Sequence, residues 1–345
     1  MKDKILIILN TDYHSEVALS LYGSLELANF EPYIYPIYSE KDHGLIDLLK
    51  KYNINFIDQY DLTIKNNFKK AFLVTPISGA LDQYNQTVQS PPNYYSHQII
   101  QDFKSNIILI LHRPTRNKIF IENAKDNLFN NPKFVGLTPF SQQIGLNYIL
   151  LSENPIANRL PIKFNINNKR KIVVIGKFFY SEKTCCNREI ILLDKISNQK
   201  LFTNNDYEII LLGESANRIA VKEDSNIIIK SNLPEIDFYN EIHQSDYILN
   251  LLIKSTQRGY FSDCTSSNFN HILSFRKPAI NCRFSNLVSP CPSFSYNNES
   301  EFCSTVQKAI NVKDNEYHEM IKNFDIIKHN LRLHNKDVIE NLINT

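Results

Sequence analysis

Short apolar runs alternate with longer stretches of helical period along most of the chain, which is the pattern of a parallel sheet with crossover helices. In the first half the runs predict strands over Lys4–Leu9, Pro32–Tyr35, Asn55–Ile57, Ala71–Thr75, Asn106–Leu111 and Phe134–Leu137. Val17, Ala18, Leu21, Leu25 and Ala28 form a stripe that predicts a helix from Ser15 to Ala28. Shorter helices are predicted from Ser96 to Phe103 and from Ser141 to Leu146, the second capped by Ser141 behind Pro139. A second alternating series begins near Lys171. Its predicted strands are Lys171–Ile175, Tyr207–Leu212, Asn226–Ile229, Tyr247–Leu252 and Pro278–Asn281, with helices over Pro234–His243 and Asn268–Phe275.

Between the two series lies SENPIANRLPIKFNINNKR, from Ser152 to Arg170, whose Asn, Pro and basic end read as an interdomain linker. The last segment, Asn315 to Ile343, spaces Ile321, Phe324, Ile327, Leu331, Ile339 and Leu342 among polar residues, as one or two amphipathic helices do. The chain of 345 residues therefore divides into a first α/β domain over residues 1–160, a second over residues 161–312, and terminal helices over residues 313–345 that pack back on the first domain. The expected fold class is α/β, with two Rossmann-like doubly wound domains facing a central cleft.

Composition narrows the function. With 38 basic and 36 acidic side chains the net charge is +2, which argues against a nucleic-acid partner held by bulk electrostatics. No run reaches the ~18 apolar residues needed to span a bilayer. The apolar start is followed by Asp12, His14 and Glu16 and reads as a strand, not a signal peptide. The six cysteines show no CxxC and no histidine at metal spacing, so they read as reduced thiols in a cytoplasmic protein. At most a peripheral contact at the inner face of a membrane is expected. Oligomeric state is not legible.

Ligands in open α/β sheets sit at the carboxyl ends of the strands, so the residues following each strand are the candidates. Gly176 and Lys177, with Lys183 further on, follow the strand ending at Ile175; Gly213 follows Leu212. Glycine lets backbone amides approach an anion, and the lysines supply countercharge. Lys254 and Arg258 follow the strand YILNLL, and Thr265, Ser266 and Ser267 stand before the helix that starts at Asn268. Unpaired amides at a helix start, with small hydroxyl side chains, make a cradle for a diphosphate; the same residues also serve as ordinary helix caps. There is no GxGxxG, which lowers a dinucleotide-cofactor reading.

The order of these parts, ending in Lys277-Pro278-Ala279-Ile280, resembles the donor half of GT-B glycosyltransferases, in particular the retaining glycosyltransferase group 1 domain. Placed on that family's Gly-x-Pro-Val-Ile without gaps, the chain puts Asp263 at the first acid of its Glu-Gly-Phe-Gly motif and His271 at the second Glu. Cys264-Thr265-Ser266-Ser267 stands where the glycine turn would be. The resemblance implies a nucleotide-sugar donor, of the UDP class among others, held by the second domain through Gly176, Lys177, Lys183, Gly213, Lys254, Arg258, Thr265, Ser266, Ser267 and His271. It implies an acceptor bound by the first domain, a glycan or other hydroxyl compound, as in surface polysaccharide synthesis.

The family's inverting members carry a base, often His or Asp, after the first strand. His14 or Asp12 fits that place, with Asp263 as a further catalytic candidate. Thr11, His112 and Arg113 are acceptor-side candidates. No Asp-x-Asp lies at a strand end, so no metal and no cofactor are expected, and helix amides with Lys and Arg would stabilise the leaving diphosphate. Two other readings share the fold: a non-catalytic nucleotide-sugar-binding protein and a UDP-sugar epimerase. Whether transfer retains or inverts configuration stays open.

Overall fold

The computed structural model describes residues 2–9, 14–37, 44–59, 64–74, 102–103, 106–112, 133–161, 169–176, 178, 191–198, 207–213, 216, 226–252, 266, 268–287 and 290–345. These residues form two parallel sheets with flanking helices, each with its own core.

The first sheet contains β1 (Lys4–Leu9), β2 (Glu31–Pro36), β3 (Lys70–Leu73), β4 (Ile107–Leu111) and β5 (Lys133–Gly136), in the order β2-β1-β3-β4-β5 and parallel throughout. Helix α1 (Ser15–Leu27) and the short α2 (Leu45–Lys51) connect its first strands. Both faces of β1 and β4 are covered, which is why KILIIL and IILIL read as continuous apolar runs and not as alternating ones. The core on one face gathers Leu6, Ile8, Ala71, Leu73, Ile107, Leu109 and Leu111.

The second sheet contains β6 (Arg170–Ile175), β7 (Tyr207–Leu212), β8 (Ile227–Lys230), β9 (Tyr247–Leu249), β10 (Ala279–Cys282) and β11 (Ser293–Tyr296). Its order is β11-β10-β9-β6-β7-β8, again parallel. Its helices are α3 (Pro155–Arg159), α4 (Ile191–Asn198), α5 (Glu235–Gln244), α6 (Asn268–Phe275) and α7 (Glu299–Ile310), followed by α8 (Asp314–Asn344).

By compactness the chain divides into one unit of Met1–Pro155, Asp263–Asn270 and Asn330–Thr345, and another of Ile156–Ser262 and His271–His329. In the first unit, the Asn335 side chain accepts from the Leu150 amide at 3.1 Å and donates to its carbonyl at 2.7 Å. Arg332 grips the buried Glu153 through two bonds of 2.9 and 3.1 Å. In the second, Arg170 donates to Asp314 at 3.0 Å and the Tyr317 hydroxyl donates to the Asp246 carbonyl at 2.9 Å.

Several elements differ from expectation, each for a physical reason. Asn55–Ile57 is not a strand: only Phe56 bridges Ile34, at the outer edge of β2. β9 stops at Leu249 because the Leu252 amide turns back to the Asn250 carbonyl at 2.9 Å, closing a three-residue turn. The helix expected from Ser141 is a 3-10 turn over Pro139–Ile144; Thr138 stands at its cap position and Ser141 lies inside it. The expected linker is not exposed at its start, since Ser152, Glu153 and Asn154 are all but fully buried. The terminal segment is one helix of 31 residues. Of the helix expected over Ser96–Phe103, only Asp102 and Phe103 lie within the described residues.

Candidate functional site

In local chain order the second sheet runs 3-2-1-4-5-6 and the first 2-1-3-4-5, the two doubly wound arrangements whose ligand crevice opens at the carboxyl ends where strand order reverses. The reversal lies between β1 and β3 in the first sheet and between β6 and β9 in the second.

At the first reversal the residues after three strands converge. His14 follows β1, Val74 follows β3 and His112 follows β4. The His14 and His112 rings lie 4.4 Å apart, centroid to centroid, tilted by 43°. Nε2 of His112 is 3.0 Å from the Val74 carbonyl oxygen. A carbonyl only accepts, so that nitrogen carries a hydrogen and donates. Nδ1 of His14 is 3.1 Å from a Glu16 carboxylate oxygen. An ionised carboxylate likewise only accepts, so Nδ1 is the protonated nitrogen and Nε2 holds the lone pair when the ring is neutral. His14 adopts φ of 73°, a left-handed conformation uncommon outside glycine, while its carbonyl receives the Val17 and Ala18 amides that open α1. Two residues expected separately, one as base and one as acceptor contact, thus stand ring to ring. Thr11, Asp12 and Arg113 lie outside the described residues.

Glu16 was not among the sequence candidates. The only signal for it was an acidic residue in the first turn of a helix, which ordinarily complements the helix dipole.

Beside the second reversal, at the ends of β6 and β7, the contact is backbone to backbone. Gly176 ends β6 and Gly213 ends β7, and a Cβ on Gly213 would fall 1.9 Å from the Gly176 carbonyl oxygen. Gly213 has φ of 144°, a conformation L side chains rarely adopt. Only glycine lets these two strand ends close in this way. Beside them, the Tyr296 hydroxyl lies 2.7 Å from the Asn250 carbonyl and 3.0 Å from that of Leu252, pinning the turn in which the chain leaves β9. An open groove of about 580 Å³ runs from Lys230, Ser231 and Leu233 along Asp237, Asn240 and Glu241 of α5. Glu241 bonds Lys230 and lies 3.0 Å from Lys171. Burial pushes its carboxyl up, but the bonds to the two lysines outweigh that and hold it below the usual carboxylate value.

Ser266 is buried, and its hydroxyl oxygen accepts the Asn268 amide at 3.4 Å, a helix cap at the start of α6. His271 is 3% exposed. Its ring packs edge-on to Phe238 at 5.5 Å and to Tyr239 at 5.9 Å. Contact with a ribose would require the ring to leave that aromatic packing. Lys177, Lys183, Lys254, Arg258, Asp263, Thr265 and Ser267 lie outside the described residues. Among the described residues there is no group of three or more His, Cys, Asp or Glu side chains placed to hold a metal, and no helix long and apolar enough to cross a membrane. The described cysteines Cys282, Cys291 and Cys303 are in no disulfide among the described residues, and burial pushes the Cys291 thiol up to about 12.

No protein-family model and no curated protein matches the chain. Solved structures do. HepE of Anabaena in complex with UDP-glucose matches with a TM-score of 0.57 at 12% identity, covering 99% of this chain and 100% of that one. The same protein in complex with UDP matches with a TM-score of 0.52 at 10% identity, over the full length of both chains. An α-glucosyltransferase in complex with UDP and a 13-mer DNA matches with a TM-score of 0.52 at 6% identity, covering 99% of this chain and 95% of that one. The fold is that of the GT-B glycosyltransferases.

Proposed function

We propose that this chain is a glycosyltransferase that moves a sugar from a nucleotide-sugar donor to a hydroxyl group of an acceptor. The observation that carries the reading is the His14–Glu16 pair at the reversal of the first sheet. With Nδ1 tied to a carboxylate, the imidazole offers Nε2 as base, and the Glu16 charge offsets the positive charge that forms on proton uptake. A base that removes the acceptor proton serves a single in-line displacement, so the transfer inverts configuration at the sugar.

The donor belongs at the carboxyl edge of the second sheet. There the close approach of Gly176 and Gly213 leaves room for a diphosphate, with Lys177, Lys183, Lys254 and Arg258 of the same edge segments as countercharge. The α6 start with Ser266 and Ser267 supplies further donors. Two of the similar structures hold UDP and one holds UDP-glucose, which makes a UDP-sugar the first donor to try. Charge is stabilised by amides and cationic side chains, without a metal or other cofactor. A glycan is the acceptor class, and the protein works in the cytoplasm with at most a peripheral membrane contact.

The test is a panel of UDP-, GDP-, ADP- and CMP-sugars, with and without glycan acceptors, on the wild-type chain and on His14→Gln. Turnover of one donor, lost in His14→Gln with nucleotide affinity kept, supports the reading. Nucleotide binding without any turnover would instead favour a non-catalytic binding protein. Interconversion of the sugar without acceptor would favour an epimerase.

A further inference from the structure

We infer that the groove along α5 is a glycan-binding site, taking a short, uncharged oligosaccharide outside the crevice of the second sheet. β8 is the last strand in the order β11-β10-β9-β6-β7-β8, so its end lies two strand spacings, about 10 Å, from β6 at the reversal. From there the groove of about 580 Å³ follows α5 from Asp237 to Gln244. Because α5 leads from the end of β8 to the start of β9, those seven residues carry the groove about 10 Å away from the carboxyl edge. Asp237, Asn240, Glu241 and Gln244 are spaced i, i+3, i+4 and i+7, so a single face of α5 forms one wall.

The lining selects the ligand class. Six of its eight described side chains are polar, and only Ile229 and Leu233 are aliphatic. A pocket for a planar base or an apolar ligand has the reverse balance. Formal charge cancels: Glu241 bonds Lys230 and lies 3.0 Å from Lys171, and Asp237 offsets the positive charge left over. Neither sign is in excess to draw a phosphate or a metal cation. Hydrogen bonding remains. Among the described residues no hydrogen bond or ion pair engages the Asp237 carboxylate or the Asn240 amide. The Ser231 hydroxyl oxygen is buried and likewise has no partner among them. A carboxylate only accepts, whereas an amide and a hydroxyl both donate and accept. Side by side on the helix, Asp237 and Asn240 therefore suit two neighbouring hydroxyls of a sugar ring, and Ile229 and Leu233 offer apolar contact to its C–H face.

The ribose of a nucleotide carries the same pair of neighbouring hydroxyls, so the experiment separates the two sources. Saturation-transfer NMR on the full chain, with neutral hexasaccharides of glucose, mannose and galactose, reads binding and its Kd, with and without UDP. The same titrations are run on the double variant Asp237→Ala, Asn240→Ala, both positions lying on the helix surface. We expect at least one hexasaccharide to bind the wild type, with a Kd that UDP does not change. The double variant should weaken that binding about tenfold or more, with UDP affinity and thermal midpoint close to wild type.

No binding of any of the three hexasaccharides overturns the inference, as does equal binding by wild type and the double variant. Displacement by UDP, with UDP affinity falling in the double variant, also overturns it and assigns the groove to the nucleotide. No sugar donor and no turnover enter the measurement. Its failure therefore leaves the proposed transfer reaction standing, and failure of that reaction leaves the groove standing.

Discussion

Gly213→Ala tests whether the carboxyl edge of the second sheet is as tight as the backbone geometry states. The new Cβ would stand 1.9 Å from the Gly176 carbonyl oxygen and 2.9 Å from its carbon. That is roughly 1.5 Å short of ordinary contact, and both partners are backbone, so no side chain can swing aside. Overpacking of this kind costs ~1–3 kcal/mol. Holding alanine at φ of 144° adds ~1–3 kcal/mol. Together the loss is about 2–6 kcal/mol, which lowers the midpoint of a unit of this size by roughly 5–25 °C. Gly145→Ala is the control: its φ is also positive, at 74°, but nothing lies within 4 Å of the added Cβ. That variant isolates the backbone cost, expected near 1 kcal/mol. Thermal unfolding followed by circular dichroism measures both, and calorimetric titration with UDP reads the site. Gly213→Ala should also bind nucleotide more weakly, because one strand end must shift by about an ångström. If Gly213→Ala is no less stable than Gly145→Ala, the two strand ends do not approach as described, and the argument from backbone contact is refuted.

Arg332→Met leaves the Glu153 carboxylate, 1% exposed, without its guanidinium partner and should cost about 2 kcal/mol or more, less than a fully buried pair because Arg332 is 37% exposed. A urea midpoint equal to wild type would show the pair to be idle. Asn335→Ala removes the partner of both the amide and the carbonyl of Leu150 and should cost ~2–3 kcal/mol by the same measurement. Glu241 is held below its ordinary value, so the folded state binds its proton later than the unfolded state does. Its stabilisation is therefore complete above the ordinary carboxylate range and is lost as pH falls through and below that range. Urea midpoints from pH 6 to pH 3 should fall more steeply in wild type than in Glu241→Gln, and parallel curves would contradict this.

The strand cores were legible because burial on both faces writes nearly continuous apolar runs: Lys4–Leu9 and Tyr207–Leu212 are found at the bounds that the pattern assigns, as is helix α6, Asn268–Phe275, by its own period. What failed was short or half-polar. β11 reads SFSY, with polar residues at alternate positions, and paired to β10 it escapes a search for apolar runs. α2 has seven residues, too few for a helical stripe to stand out. The buried Ser152–Asn154 looked like linker because their composition is polar, yet Glu153 is satisfied by Arg332 from 179 positions further along. Long-range pairing of that kind leaves no local mark. The same limit hid the pairing of the two histidine rings. His14 and His112 were each visible as polar residues after a strand, but nothing local says that β4 brings one ring against the other.

The carboxyl edges of the two sheets are built from different material, and that difference fits what the proposed function asks of each. A proton is taken up at a single atom with a direction, so a site for it needs a titratable ring whose plane is fixed. The first sheet provides rings from β1 and β4, with a carbonyl from β3 to lock one of them. A diphosphate spreads its charge over several oxygens and is best met by backbone amides at close range, where a Cβ would obstruct. The second sheet provides two glycines whose backbones approach too closely for any side chain. Exchanging the materials would fail at both ends, since a glycine cannot accept a proton and a packed pair of imidazoles would crowd a phosphate. On the proposed function, the rings of the first sheet suit the removal of a proton and the glycines of the second suit the binding of a charged group.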